Sequence, residues 1–389
     1  MLNNVKSNII IEKIFKNLKN KRKLNIIKYN KRILFKLNIT KEHYENYIIL
    51  KKFNNEYNTN IEDIDIKELN LKSKNIGNEG LELLSKIKFK ELKLLNLGCN
   101  KISDINILEK ENFKDLNVLG LYINEISNIN VIEKVNFKGL KVLDLCGNKI
   151  SDIDILEKAD FKELQVLYLN NNEISDIDIL EKVNFKKLKE ICLNNNKISD
   201  INVLEKVNFK ELENLYLSIN YISDIRILEK VNFKELKELD LSNNKISDIG
   251  ILEKVNFKNL KVLNLGHNKT ISDIGILEKV NFKNLEVLDL GGNNITDINI
   301  LEKVNFKKLI KLYLSYNEIS DISILEKVNF KELKVLYLLA NSISDINVFE
   351  KVNFKELEWL DLSGNKISEK KNFSTIKNLK LKIKTFYFK

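Results

Sequence analysis

The sequence predicts an α/β solenoid, in which short strands and short return helices stack unit upon unit. Two observations predict it. A unit of 24 residues recurs a dozen times in register, and each copy joins a period-2 apolar stretch to a separate apolar return segment. Such self-similarity overrides the two or three globular domains that a chain of 389 residues would otherwise imply.

The strand comes first in each unit. Leu92-Lys93-Leu94-Leu95-Asn96-Leu97-Gly98-Cys99-Asn100 is followed, at a shift of 24, by Leu116-Asn117-Val118-Leu119-Gly120-Leu121-Tyr122-Ile123-Asn124. The last two leucines of each copy alternate with polar positions, as in a short strand with one buried face. An asparagine then closes every copy, from Asn100 to Asn365. Its amide can both donate to and accept from backbone groups left unpaired at the bend. The return segment, as in Ile246-Ser247-Asp248-Ile249-Gly250-Ile251-Leu252, offers Ser or Asp as a helix cap and an inward apolar pair after it. A phenylalanine column, Phe89 to Phe354, fills the space between strand and return. One copy is 25 residues long, because Thr270 is inserted after Lys269. No unit can bury these faces alone, whereas stacked neighbours bury them continuously.

The pattern LxxLxLxxN resembles the leucine-rich repeat, and the following I-S-D-I-x-x-L resembles the class found in phosphatase-regulator and internalin-type proteins. The resemblance covers roughly residues 66 to 368. It implies a horseshoe of about thirteen rungs, with a parallel β-sheet on its concave side and short helices on its convex side. The repeats here are slightly longer than is usual in that class, which predicts a more helical return segment.

Three domains follow: a basic helical cap over residues 1–60, the solenoid over 61–368 and a C-terminal capping strand over 369–389. Residues 1–60 show helical spacing (Ile10, Ile11, Ile14, Phe15, Leu18) and carry 14 basic against 4 acidic side chains, a balance of +10. Ile10-Ile11-x-x-Ile14-Phe15-x-x-Leu18 faintly resembles an F-box, without its Leu-Pro opening. Residues 61–368 carry 44 basic and 50 acidic side chains, a balance of −6. At the far end, Ile376-Lys377-Asn378-Leu379-Lys380-Leu381 fits the leucine pattern again. The lysines of Lys382-Ile383-Lys384-Thr385-Phe386-Tyr387-Phe388 then blunt the edge of a last strand.

Function has to be sought where the repeats differ from one another. Columns identical in every rung, such as the convex Glu-Lys pair from Glu109-Lys110 to Glu350-Lys351, are explained by stacking: ladders of opposite charge cancel. Strand positions that point into the concavity vary freely and carry aromatics beside acids, which is the composition of protein-recognition hot spots. The candidate partner-binding residues are Tyr168, Tyr216, Tyr313, Tyr316, Tyr337, Trp359 and Asp361, densest in the last five.

Catalytic chemistry has little to stand on. The chain lacks a Gly-rich phosphate loop, a His-x-x-x-His pair and a nucleophile elbow, and it has two histidines, His43 and His267. Cys99, Cys146 and Cys192 occupy three different repeat columns, so neither a metal nor another cofactor is expected. With no long apolar run, no signal-peptide pattern and an odd cysteine count, the chain reads as cytoplasmic. The expected function is a non-enzymatic scaffold that binds a protein partner on the concave face. A regulatory adaptor, phosphatase-regulator-like or F-box-like, is the alternative. Nucleic-acid or anionic-membrane attachment through basic ends such as Lys19-Asn20-Lys21-Arg22-Lys23 is the alternative of another class, and the abundance of lysine along the whole chain counts against it.

Overall fold

The computed structural model describes residues 41–110, 113–135 and 137–388. The helical spacing expected within residues 1–40, the F-box-like stretch and the basic run Lys19–Lys23 lie outside the described residues. The chain divides into two compact units, Met1–Ile150 with Lys158–Phe161, and Ser151–Glu157 with Lys162–Lys389.

The first unit opens with helix α1 (Lys41–Glu56), then β1 (Glu68–Asn70), α2 (Gly77–Ser85), β2 (Leu94–Asn96), β3 (Val118–Gly120) and β4 (Val142–Asp144). Helix α1 buries Tyr47, Leu50 and Phe53, spaced three apart on one face. The buried Asn46 fixes its seat: its Oδ1 accepts the N–H of Lys88 at 3.1 Å. Strands β1 to β4 pair parallel and in register, Leu69 beside Leu95, Leu95 beside Leu119 and Leu119 beside Leu143.

The second unit continues the same plan through ten parallel strands. These are β5 (Val166–Tyr168), β6 (Glu190–Cys192), β7 (Asn214–Tyr216), β8 (Glu238–Asp240) and β9 (Val262–Asn264), then β10 (Val287–Asp289), β11 (Lys311–Tyr313), β12 (Val335–Tyr337), β13 (Trp359–Asp361) and β14 (Thr385–Tyr387). Each three-residue strand from β5 to β13 buries its central side chain and leaves the two flanking ones on the other face, as period-2 geometry requires. The central leucines, the isoleucines of the return segment and the phenylalanine column through Phe330 make the core. Both units are the α/β solenoid that the sequence predicts.

The asparagine column welds one rung to the next. Asn196 Nδ2 donates to the carbonyls of Leu193 and Leu169, both at 3.0 Å, so it serves the end of its own strand and of the strand before. Its Oδ1 accepts the N–H of Ile174 at 3.0 Å. The same triplet recurs at Asn220, Asn244, Asn317 and Asn341. A buried backbone at a bend has no ladder partner, and one amide satisfies three such groups here.

The return segments depart from expectation. Each 24-residue rung of the second unit carries a single 3₁₀ turn of four residues, such as Gly250–Glu253, in place of a helix. Of the two proposed caps, the carboxylate is used, from one residue before the cap position: Asp248 Oδ1 accepts the Gly250 N–H at 2.7 Å. Past the turn, each convex lysine of the second unit from Lys182 to Lys351 reaches back to the glutamate of the preceding rung, at 2.9–3.8 Å.

The C-terminal leucine pattern also folds differently. Residues 376–381 belong to helix α3 (Phe373–Lys382), which buries Thr375, Ile376 and Leu379. The last strand is short and follows it, with Phe386 beside Leu360 in parallel register.

Candidate partner-binding face

In the second unit, the face of the sheet opposite the core is built from two rows, the first and third residue of every strand. Parallel pairing puts equivalent residues side by side, one strand step of about 4.8 Å apart. Tyr313 therefore lies beside Tyr337, Tyr337 beside Asp361 and Asp361 beside Tyr387.

That register stacks the rings. The centroids of Tyr313 and Tyr337 are 5.2 Å apart with planes 11° from parallel. Trp359, two residues before Asp361 on the same face, leans diagonally between the next two rings, 6.2 Å from Tyr337 and 6.1 Å from Tyr387. The spacings and tilts fall within the range favoured by aromatic quadrupoles. Four aromatics thus form one continuous row. Tyr387 was not among the residues the sequence singled out, because it looked like part of an edge strand and its diagonal contact depends on register.

The acids of this face are held by their own backbone. Asp240, Asp289 and Asp361 each accept the N–H two residues on, from Ser242, Gly291 and Ser363, at 3.0, 2.8 and 2.9 Å. This is the Asx-turn geometry that a short carboxylate adopts at a strand end. Burial pushes the Asp289 carboxyl above the usual range, against the opposing pull of the Gly291 N–H. Burial likewise raises Tyr313 and Tyr337, with the neighbouring ring and acids adding to it.

The remaining candidates stand elsewhere. Tyr216, on β7, donates its hydroxyl to Glu238 Oε2 at 2.6 Å, and Asn214 Nδ2 donates to Glu190 Oε2 at 3.2 Å. Tyr168 faces Cys192 in register on β5 and β6. Tyr316 sits in the loop after β11, in the left-handed region at φ 56° and 56% exposed. The structure therefore brings Tyr313, Tyr337, Trp359 and Asp361 together, places Tyr168 and Tyr216 farther along the same face on β5 and β7, and leaves Tyr316 in a loop beyond the strand.

A cleft of about 530 Å³ passes the loops after β6 to β9, lined in part by Asn195, Tyr221, Lys245, His267 and Thr270. Lys245 Nζ lies 4.7 Å over the Tyr221 ring, and the His267 ring lies where any side chain on Gly292 would collide with it. Among the described residues, no group of three or more His, Cys, Asp or Glu side chains is placed to hold a metal ion. No helix among them is long and apolar enough to cross a membrane.

This stacked architecture is that of a known family. The family model described as "Leucine Rich repeats (2 copies)" matches residues 138–182, 162–206, 210–254, 258–303 and 307–351, and that described as "Leucine Rich Repeat" matches 356–379. The chain belongs to the leucine-rich repeat family, and its structural neighbours place it with the internalin-type class. It is similar to an internalin (inlF) from Listeria monocytogenes, at 25% identity over 97% of each chain with a TM-score of 0.67. A leucine-rich repeat protein of Leptospira interrogans is 25% identical over 87% of this chain and 86% of its own, also at 0.67. The plant peptide hormone receptor RGFR1, solved in complex with RGF2, shares the fold at 22% identity and a TM-score of 0.55, over 73% of this chain and 45% of that one. Comparison with curated proteins finds no match.

Proposed function

We propose that the chain is a non-enzymatic scaffold that binds a protein partner on the face of the β5–β14 sheet, the side expected to be concave. The leucine-rich repeat fold is a typical protein-interaction scaffold, and what supports this particular face is the row Tyr313–Tyr337–Trp359–Tyr387. Stacked tyrosine and tryptophan on a rigid sheet give large contact area at little cost in conformational entropy, which is how hot spots work. The convex side is the poorer candidate, because its charges are matched rung by rung. Residues 41–56 serve as a cap, since α1 buries Tyr47, Leu50 and Phe53 and packs against α2. Cys99, Cys146 and Cys192 carry thiols and no disulfide, which favours a reducing, cytoplasmic setting.

The test compares proteins that co-purify with the wild-type chain and with Tyr337→Ala/Trp359→Ala. Circular dichroism should be the same for both. A partner retained by the first and lost by the second supports the reading, and equal recovery of every partner rejects it.

A further inference from the structure

The two rows of the β5–β14 face carry five carboxylates, Glu190, Glu238, Asp240, Asp289 and Asp361, against one lysine, Lys311. Among the described residues, none of the five forms an ion pair, although ion pairs abound on the same unit's convex side. In the row one residue earlier the balance is reversed, with Lys189, Lys237, Lys261, Lys334 and Lys384 against Glu213, Glu286 and Glu358, and there Lys237 pairs with Glu213 at 2.6 Å and Lys261 with Glu286 at 2.8 Å. On this face, then, carboxylates outside any ion pair coincide with the aromatic row.

A neutral partner seated there would bury carboxylates without a counter-charge, which is costly. A cationic partner would offset that cost, and the guanidinium of arginine satisfies both features at once. It stacks flat on tyrosine and tryptophan and pairs bidentately with a carboxylate. Spacing agrees. Alternate side chains of an extended segment lie about 6.7 Å apart, close to the 6.2 and 6.1 Å steps from Tyr337 to Trp359 to Tyr387.

We infer that this face takes an extended, arginine-bearing segment of the protein partner, its guanidinium groups stacked on Tyr337, Trp359 and Tyr387 and paired with Asp361, with Asp289 and Asp240 drawing further cations along the sheet. The inference rests on the scaffold reading and adds the chemistry of the partner. It runs against the formal net charge of +10, whose long-range field would select acidic partners instead.

That opposition makes the experiment decisive. Fluorescent peptides of alternating Arg-Ser, Lys-Ser, Gln-Ser and Glu-Ser are titrated with the full chain at physiological ionic strength, and binding is read by anisotropy. The Arg-Ser peptide should bind tightest, Lys-Ser more weakly, and the other two weakest. Trp359→Leu and Asp361→Asn should each weaken Arg-Ser binding by roughly tenfold, and the convex Glu229→Gln should leave it unchanged. Arg-Ser binding that is indifferent to both face variants, or absent, overturns the inference. Gln-Ser or Glu-Ser binding that the face variants abolish also overturns it, and leaves the scaffold reading standing. That reading fails separately, if co-purifying proteins ignore the face substitutions.

Discussion

The Thr270 hydroxyl donates to the carbonyl of Ile246 at 2.8 Å, a bond that backbone makes in other rungs. In those, the residue after the asparagine supplies its N–H, as Lys245 does to Ile222 and Tyr221 to Ile198, both at 2.8 Å. The inserted threonine displaces that N–H: Lys269 turns to the Gly292 carbonyl instead, at 3.2 Å. The hydroxyl repairs one end of the break. The other end stays open, because Asn293 Oδ1 is buried without a hydrogen-bond partner, whereas Asn317 Oδ1 takes the N–H of Ile295 at 3.0 Å. Deleting Thr270 restores the 24-residue spacing and lets the Ile271 N–H reach Asn293. We expect stabilisation of about 1–2 kcal/mol, read as a higher urea midpoint at unchanged slope. Thr270→Val should lose about 1 kcal/mol instead.

Asn196 tests the weld itself. Asn196→Ala strands two carbonyls and one N–H in the interior, so it should cost about 3 kcal/mol or more. Asn196→Asp keeps the acceptor for Ile174 and loses the donors, placing a carboxylate against the carbonyls of Leu169 and Leu193. Burial and those dipoles raise the folded-state pKa of the new carboxyl above its unfolded value near 4. An acid shifted that way loses stability as pH rises through the window between the two values. Asn196→Asp should therefore be markedly less harmful at pH 4 than at pH 7, relative to wild type, by urea unfolding at both.

The columns were legible in the sequence because each residue type repeats a single physical role; leucine, asparagine and phenylalanine hold the same place in rung after rung. The return segment was not, since an apolar pair with a preceding acid suits a 3₁₀ turn as well as a helix. Length decides between them. Where strands pair at a spacing of 24 there is room for one 3₁₀ turn, as between Glu238 and Val262. Where the spacing grows to 26, from Glu68 to Leu94 and from Trp359 to Thr385, a true α-helix fits in between. The leucines of residues 376–381 misled for a related reason: spacings of three and four serve a helix face as well as they serve LxxLxL. Of the candidate face, Tyr313, Tyr337 and Trp359 could be picked out as variable aromatics. The fourth ring, Tyr387, could not, because the extra two residues before it hide its register.

Ile219 marks a position where the fold is strained. It holds φ at 53°, in the left-handed region, and is 49% exposed. A β-branched residue pays about 1–2 kcal/mol for that conformation. Asn195 and Asn243 fill the same column one rung either side, at φ 52° and 53°. Ile219→Asn should accordingly stabilise the chain by about 1 kcal/mol. Unfolding midpoints of the two proteins check this, and a lower midpoint for the variant would show that Ile219 makes up its strain through packing.

Tyr216 should titrate far above ordinary tyrosines. Burial is the larger cause, and the hydrogen bond to Glu238 is the next, since both favour the neutral phenol over the phenolate. A tyrosine raised in this way stabilises the fold less and less as pH climbs past the unfolded value near 10, because the unfolded chain ionises first. Two measurements follow. Difference absorbance during alkaline titration, wild type minus Tyr216→Phe, should show no phenolate from this residue while the exposed tyrosines ionise. Replacing its acceptor through Glu238→Gln should bring the ionisation down, because the carboxylate that holds the proton is gone. If Tyr216 titrates with the exposed tyrosines in the wild type, the Tyr216–Glu238 bond does not persist in solution. The β7–β8 part of the face would then offer the Glu238 carboxylate to a partner.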